Sequence, residues 1–203
     1  MFITFEGIDA SGKSTQATLL AKELEEREFD VLLTKEPGGT ELGKTVRNLV
    51  LHGEKISPRT EALLFLADKA EHVDSLILPA LKEGKIVISD RYLDSSIAYQ
   101  AAGRHFVDFD YESLGNWAID NVQPDVTFFI DIDPSVSFAR MLGKHDKLEN
   151  EGVGFQRIAR YAYLEIAKKH RNRFIIIDAN GKSVDELHAE ISEITLKKLG
   201  DRK

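Results

Sequence analysis

The sequence predicts an α/β domain, a mostly parallel five-stranded sheet with helices on both faces. Three observations carry that expectation. Strand-like and helix-like patterns alternate along all 203 residues, the order that builds parallel sheets through right-handed crossovers. The strand-like runs are mostly apolar rather than alternating, which suits strands covered on both faces. Finally, Gly7-Ile8-Asp9-Ala10-Ser11-Gly12-Lys13-Ser14 matches G-x-x-x-x-G-K-[ST] between the first apolar run and a helical pattern, the setting of a phosphate-cradling loop.

The elements follow in order. Phe2–Glu6 reads as the first strand, and Leu19, Leu20 and Leu24 stripe the helix behind the loop. Val31–Lys35 is the second strand and runs into Glu36-Pro37-Gly38-Gly39. Ser57-Pro58 places an N-cap before a proline at N1, opening a helix striped by Ala62, Leu63, Leu66 and Ala70. Ile86–Ser89 is the third strand and exits into Asp90-Arg91-Tyr92; Val126–Ile132 is the fourth, followed by the cap Asp133-Pro134. Ile158, Tyr161, Ala162 and Ile166 stripe the next helix. Phe174–Asp178 is the fifth strand, and Ser183-Val184-Asp185-Glu186 is a capping box for the last helix. With no repeat and no linker, residues 1–203 read as one domain. A polar, glycine-flanked segment at about 143–152 interrupts the pattern and fits a mobile flap or a solvated connection equally well.

Composition narrows the function. A net charge of −7 without a basic block of five residues argues against nucleic-acid polymers as ligands. The absence of cysteine removes disulfides, zinc thiolates and a cysteine nucleophile, and fits the cytosol. No apolar run approaches bilayer-spanning length. The N-terminal run is unlike a signal peptide, since Glu6 and the glycine loop arrive at once.

The glycine loop points to a nucleoside triphosphate. Gly7 and Gly12 let backbone N–H groups turn onto anionic oxygens. Lys13 can reach the β- and γ-phosphates, and the Ser14 hydroxyl can ligate Mg²⁺. A guanine-reading switch is disfavoured, because N-K-x-D is absent and the D-x-x-G at Asp178–Gly181 comes too late. A protein kinase has a different glycine loop. What remains is transfer of the γ-phosphoryl to a small acceptor, which needs a second pocket in line with the first. Three strand exits bring chemistry to one rim, where open sheets gather ligands. There Arg47 and Arg91 are candidates for a phosphate, Phe65 for stacking a base, and Ser96, Tyr99 and Gln100 for its polar edge and sugar. Taken alone, Phe65 reads more often as core than as a stacking residue, and Arg47 more often as a solvated side chain. Asp90-Arg91 could be a surface ion pair of little worth.

These residues resemble the bacterial thymidylate kinases over nearly the full length. The resemblance runs from Phe2–Gly7 and the loop through Glu36-Pro37-Gly38-Gly39-Thr40 and Thr60-Glu61-Ala62-Leu63-Leu64-Phe65. It continues in Asp90-Arg91-Tyr92-Leu93-Asp94-Ser95-Ser96-Ile97-Ala98-Tyr99-Gln100, Gln123-Pro124-Asp125 and Leu148-Glu149. It implies a three-layer P-loop nucleotide kinase that converts dTMP to dTDP with ATP and Mg²⁺ in dTTP synthesis, in the cytoplasm and as a homodimer. It also implies roles. ATP falls to Gly7, Ile8, Asp9, Ala10, Ser11, Gly12, Lys13, Ser14 and Thr15, with Arg140 packing on adenine. The metal falls to Ser14, Asp9 and Asp90. Arg91 bridges the two substrates' phosphates, Arg47 holds the acceptor phosphate, and Phe65 stacks on thymine. Ser96 and Gln100 address the base, Tyr99 crowds the place of a ribose 2′-OH, and Glu36 and Lys69 complete the acceptor pocket.

Lys35, Lys69 and Lys147 stand where the family usually has arginine. Lysine keeps the charge and loses the planar two-pronged donor. Because the loop's Asp9-Ala10-Ser11 contains no arginine, the resemblance assigns the transition-state cation to the 143–152 lid, with Lys147 in that role. Other P-loop kinases, acting on another nucleotide or a deoxynucleoside, and a slow nucleotide switch are the alternatives.

Overall fold

In a computed structural model of the chain, residues 1–104, 110–140 and 151–200 are described. Five parallel strands form one sheet in the order β2-β3-β1-β4-β5: β1 Phe2–Glu6, β2 Val31–Lys35, β3 Ile86–Asp90, β4 Val126–Asp131 and β5 Phe174–Asp178. The predicted α/β class and strand set hold.

The helices cover both faces. Helix α1 (Lys13–Glu26) follows β1, and α2 (Glu41–His52) follows β2. Helix α3 (Pro58–His72) continues through a π-helical stretch, Val73–Ile77, into the short α4 (Leu78–Lys82). Pro79 explains the widening, since proline cannot donate to the preceding turn and its ring crowds the carbonyl there. After β3 come α5 (Leu93–Ser96), a second π-helical stretch at Ile97–Ala102, and α6 (Tyr111–Ala118). Helices α7 (Pro134–Arg140) and α8 (Gly152–Lys169) lie between β4 and β5, and α9 (Val184–Gly200) ends the fold. Among the described residues no helix is long and apolar enough to cross a membrane.

The sheet alternates as a two-faced element must. Ile3, Phe5, Ile88 and Phe128 join Leu20 and Leu24 of α1 and Leu187 and Ile191 of α9 in one cluster. Phe2 and Val87 point the other way, to Ala62, Leu66, Ile77 and Ile119. Strands β1, β3 and β4 are buried almost throughout. The edge strands correct the expectation of cover on both faces: Leu33 of β2 and Ile176 of β5 are exposed. Two helix stripes also need correction. Leu63 on α3, and Ile158 and Tyr161 on α8, face outward. The buried face of α8 is instead Phe155, Gln156, Ala159, Tyr163, Ile166 and Ala167.

The caps hold where proline or a hydroxyl marks them. Ser57 accepts from Thr60 N–H at 3.2 Å, and Asp133 accepts from Ser135 N–H at 2.8 Å. Ser183 and Glu186 exchange the two hydrogen bonds of a capping box.

Connections leave β1 toward β2 on one side and β3 toward β4 on the other. The crevice beyond the carboxyl ends of β1 and β3 is therefore the switch point at which such sheets bind ligands. In register, Phe5 and Lys35 both lie opposite Asp90. The three strands whose exits carry the polar motifs are thus adjacent.

Candidate active site

The glycine loop is built around Gly7. Its φ of +145° lies in a region L side chains rarely adopt, and a Cβ there would sit 2.6 Å from the Ile130 carbonyl oxygen. Beyond the loop, α1 begins at Lys13, whose side chain is buried and donates to the Ile8 carbonyl at 2.6 Å. Burial and the neighbouring Arg91 push the Lys13 pKa down to about 8, against the pull of Asp9, Asp90 and Glu6. That leaves a poorly solvated ammonium at the helix N-terminus, where anions are favoured.

Arg91 sits in the left-handed region at φ +73°, an uncommon backbone for a non-glycine residue. Several partners fix it. Its guanidinium donates to the Gly7 carbonyl at 3.2 Å and to Ser95 Oγ at 3.1 Å. It also meets Asp9 in an ion pair and lies 5.2 Å over the Tyr99 ring. Burial opposes ionisation of Asp9, but Arg91 and Lys13, with hydrogen bonds from Gln156 and Tyr99, hold its pKa below the ordinary value.

Beneath Arg91 lies buried Glu6. It accepts from Tyr92 N–H at 2.8 Å, from Ser95 Oγ at 2.6 Å and from the Tyr163 hydroxyl at 2.9 Å. Burial and nearby Asp94 raise its pKa to about 7, against Ser95, Arg91 and Tyr163. Asp94 in turn takes both prongs of Arg173 at 2.6 and 2.8 Å, and Arg173 also donates to Thr127 Oγ1 at 2.8 Å. The turn after β3 is therefore anchored from below by two carboxylates.

On the other side of the crevice, Glu36 is clamped between Lys69 Nζ at 2.6 Å and His72 Nδ1 at 2.8 Å. His72 Nε2 lies 2.8 Å from Thr34 Oγ1. Burial opposes the Glu36 charge, but Lys69 and His72 hold its pKa below the ordinary range. Adjacent Asp68 moves the opposite way, pushed up to about 6 by burial and by Glu36. Lys69 thus spends its ammonium on Glu36, with both side chains only 1% exposed.

A cavity of about 320 Å³ joins these two sides. Asp9, Ala10, Lys13, Ser14, Asp90 and Arg91 line one end. Glu36, Arg47, Phe65 and Lys69 line the other, with Ser96, Tyr99 and Gln100 presented by α5 and the second π-helical stretch. Phe65 packs with Val46, Val50 and Leu51 and also lines the cavity. Arg47 is likewise not merely solvated, because it donates to the Pro37 carbonyl at 3.2 Å and lines the cavity.

Some predicted residues lie elsewhere. Gly7, Ile8, Ser11 and Gly12 of the loop and Thr15 of α1 do not line the cavity. Arg140 is exposed at the end of α7. Lys147 and nearly all of the predicted 143–152 lid fall outside the described residues. Sequence reasoning missed Glu6, Ser95, Gln156 and Tyr163, which hold Arg91 and Asp9 in place. Gln156 Nε2 donates to Asp9 at 2.7 Å. A glutamine on the apolar side of α8 was the only signal available for it.

The oxygens of Asp9 are engaged by Arg91, Tyr99 and Gln156. Asp90 differs: one oxygen meets Ser14 Oγ, and the other, Oδ1, is buried without a hydrogen-bond partner. A hydroxyl beside a carboxylate with one unmet oxygen fits a hard, hydrated cation that keeps several waters and borrows phosphate oxygens. Among the described residues no cluster of three or more His, Cys, Asp or Glu side chains could hold a metal unaided.

Comparison with known proteins agrees with this geometry. The family model described as thymidylate kinase matches residues 5–191. The chain is 46% identical to a thymidylate kinase of Bifidobacterium longum (strain DJO10A), covering 98% of both chains. It is 43% identical to one of Kosmotoga olearia, covering 98% of this chain and 99% of that one. The crystal structure of thymidylate kinase from Ehrlichia chaffeensis aligns with a TM-score of 0.77 at 37% identity, over 97% of this chain and 98% of the other. With a full-length family match, relatives well above a third identical and a phosphate loop facing a second pocket, this chain belongs to the thymidylate kinase family.

Proposed function

We propose that this chain transfers the γ-phosphoryl group of ATP to the phosphate of dTMP, giving ADP and dTDP. A dTMP phosphate oxygen forms the new bond to the γ-phosphorus as the bond to the β,γ-bridging oxygen breaks, with that electron pair leaving on ADP. No covalent enzyme intermediate is needed. One observation carries the reading: a single cavity is lined both by the phosphate loop, through Asp9, Ala10 and Lys13, and by Arg47, Phe65, Tyr99 and Gln100, with Arg91 in the same wall.

Catalysis of this kind is positioning plus stabilisation of spread-out negative charge. Lys13 supplies a cation stripped of water, which strengthens its field on phosphate oxygens. Arg91, oriented by Asp9, Ser95 and the Gly7 carbonyl, can address phosphates of both substrates. Arg47 holds the dTMP phosphate, and Phe65 offers its face to thymine. Mg²⁺ would be held by Ser14 and Asp90, with Asp9 nearby, and when bound it neutralises the β- and γ-phosphate oxygens. Arg140 serves adenine and Lys147 the moving phosphoryl group, both by family position. The protein works as one domain and as a homodimer. Leu42 and Leu49 on α2, Leu63 on α3 and Trp117 on α6 are exposed and available to such an assembly.

Measuring ADP release from Mg·ATP with and without dTMP tests the reaction. Strong dependence on dTMP is expected. Equal release without it would leave a kinase for another acceptor or a slow nucleotide switch.

A further inference from the structure

Gln100 lines the cavity yet is only 2% exposed, and its side-chain amide is not free to turn. Its Nε2 donates to Glu61 Oε1 at 3.3 Å. Glu61 is gripped by Arg104, whose Nε donates to Oε1 at 3.2 Å and whose second prong donates to Oε2 at 3.1 Å. Arg104 is held in turn by Glu151 at 2.7 Å and by the Phe155 ring 5.3 Å from its guanidinium carbon. A carboxylate committed to an arginine fork can only accept. The face of Gln100 toward Glu61 must therefore be its NH₂, which leaves the carbonyl oxygen as the group for the cavity.

We infer that Glu61 and Arg104 are specificity-determining positioning residues: they fix the Gln100 carboxamide so that an acceptor, not a donor, meets the base edge. The inference rests on the reading of the cavity as a dTMP site. Thymine and uracil carry an N–H at N3, between two carbonyl oxygens, and a carbonyl oxygen satisfies it. Cytosine has a bare acceptor at N3, so the same oxygen would face a lone pair and leave both groups unpaired. A site built to receive one hydrogen-bond partner rejects the analogue lacking it far more strongly than a hydrophobic slot rejects a missing methyl. The pair thus supplies discrimination against cytosine, while the methyl of thymine is judged elsewhere in the pocket.

Glu61→Gln makes the two orientations of Gln100 nearly equivalent, because the new amide can present either oxygen or NH₂ toward it. The test measures kcat/KM for dTMP, dUMP and dCMP in the wild type and in this variant. The expected result is a fall of roughly tenfold or more in the dTMP:dCMP preference, as expected when a buried hydrogen bond of about 1.4 kcal/mol stops discriminating. The dTMP:dUMP ratio, which reads only the methyl, should stay within about twofold. Arg104→Lys keeps the charge but loses the fork, and should shift the dCMP ratio in the same direction by less. It provides the readout if Glu61→Gln does not fold. An unchanged dTMP:dCMP ratio in a folded, active variant overturns the inference, as does parallel erosion of both ratios, which marks general loosening. A wild type that ignores dTMP fails earlier, at the proposed function itself.

Discussion

Replacing Glu36 by alanine should destabilise the protein severely, and the size follows from where its partner sits. Lys69 and Glu36 are each 1% exposed, 2.6 Å apart, with His72 wholly buried on the other carboxylate oxygen. Removing the carboxylate strands a buried ammonium. Breaking a buried pair from one side costs about 3–5 kcal/mol. For a chain this size each kcal/mol moves Tm by about 2–4 °C, so the expected fall is roughly 6–20 °C. Removing both charges with Glu36→Gln and Lys69→Met should recover much of that loss, since a neutral pair of similar volume leaves no orphaned charge. Urea unfolding of Glu36→Gln, Lys69→Met and their double closes the cycle, and the coupling between them should be well above the 0.3–0.5 kcal/mol scatter of independent sites. If Glu36→Ala shifts stability by less than 1 kcal/mol, or the two effects simply add, the buried clamp is not what holds α3 to the second strand's exit.

Four further outcomes are expected. Lys13→Ala should leave a folded protein with kcat reduced by about 10³-fold or more; turnover within tenfold of wild type would remove the phosphate loop from the mechanism. dTMP should exceed dUMP by only roughly 10- to 200-fold in kcat/KM, because one methyl in an apolar slot is worth no more, and AMP or GMP as best acceptor in competition would reassign the pocket. Glu6 binds its proton more tightly folded, with a pKa near 7 against 4.5. Between those values the unfolded chain holds fewer protons, so Glu6 lowers stability as pH rises. Urea unfolding from pH 4.5 to 7 should show that loss relative to Glu6→Gln, and identical slopes would place the charge elsewhere. Lys147→Ala should lower kcat by less than the 10³–10⁵ of a lost arginine finger, with single-turnover rates as the measure and a wild-type rate as the contrary result.

What could be read from the sequence depended on whether a residue's environment was written nearby. Gly7 and Lys13 were legible because the loop imposes its own backbone and directs its own N–H groups, whatever surrounds it. Asp90 and Arg91 were legible from position, at a strand end beside that loop. The stripes failed where the buried face was polar. On α3 the inward residues include Glu61, Asp68, Lys69 and His72, so a search for apolar periodicity counted Leu63, which is exposed. On α8 the same bias took Ile158 and Tyr161 and overlooked Gln156. Lys69 was placed at the cavity it lines, but its pairing with Glu36, 33 residues away, was not legible.

These failures share a physical cause that also bears on function. A helix facing a binding cavity must bury groups whose hydrogen-bonding capacity is met across space, and each unmet group costs about 1–3 kcal/mol. Most of the polar side chains buried around this crevice are paired: Glu6 with three donors, Asp94 with Arg173, Glu36 with Lys69 and His72. Among the described residues, Asp90 Oδ1 and Asp68 Oδ2 lack a hydrogen-bond partner near it. Asp68 offsets part of that cost by titrating, its pKa raised to about 6 by burial and Glu36. Asp90, beside Ser14 and the phosphate loop, has a different remedy within reach, because a hydrated divalent cation satisfies a lone carboxylate oxygen. A paired network holds the reacting groups rigid, and of the two oxygens left unmet the one on Asp90 lies at the proposed position of Mg·ATP.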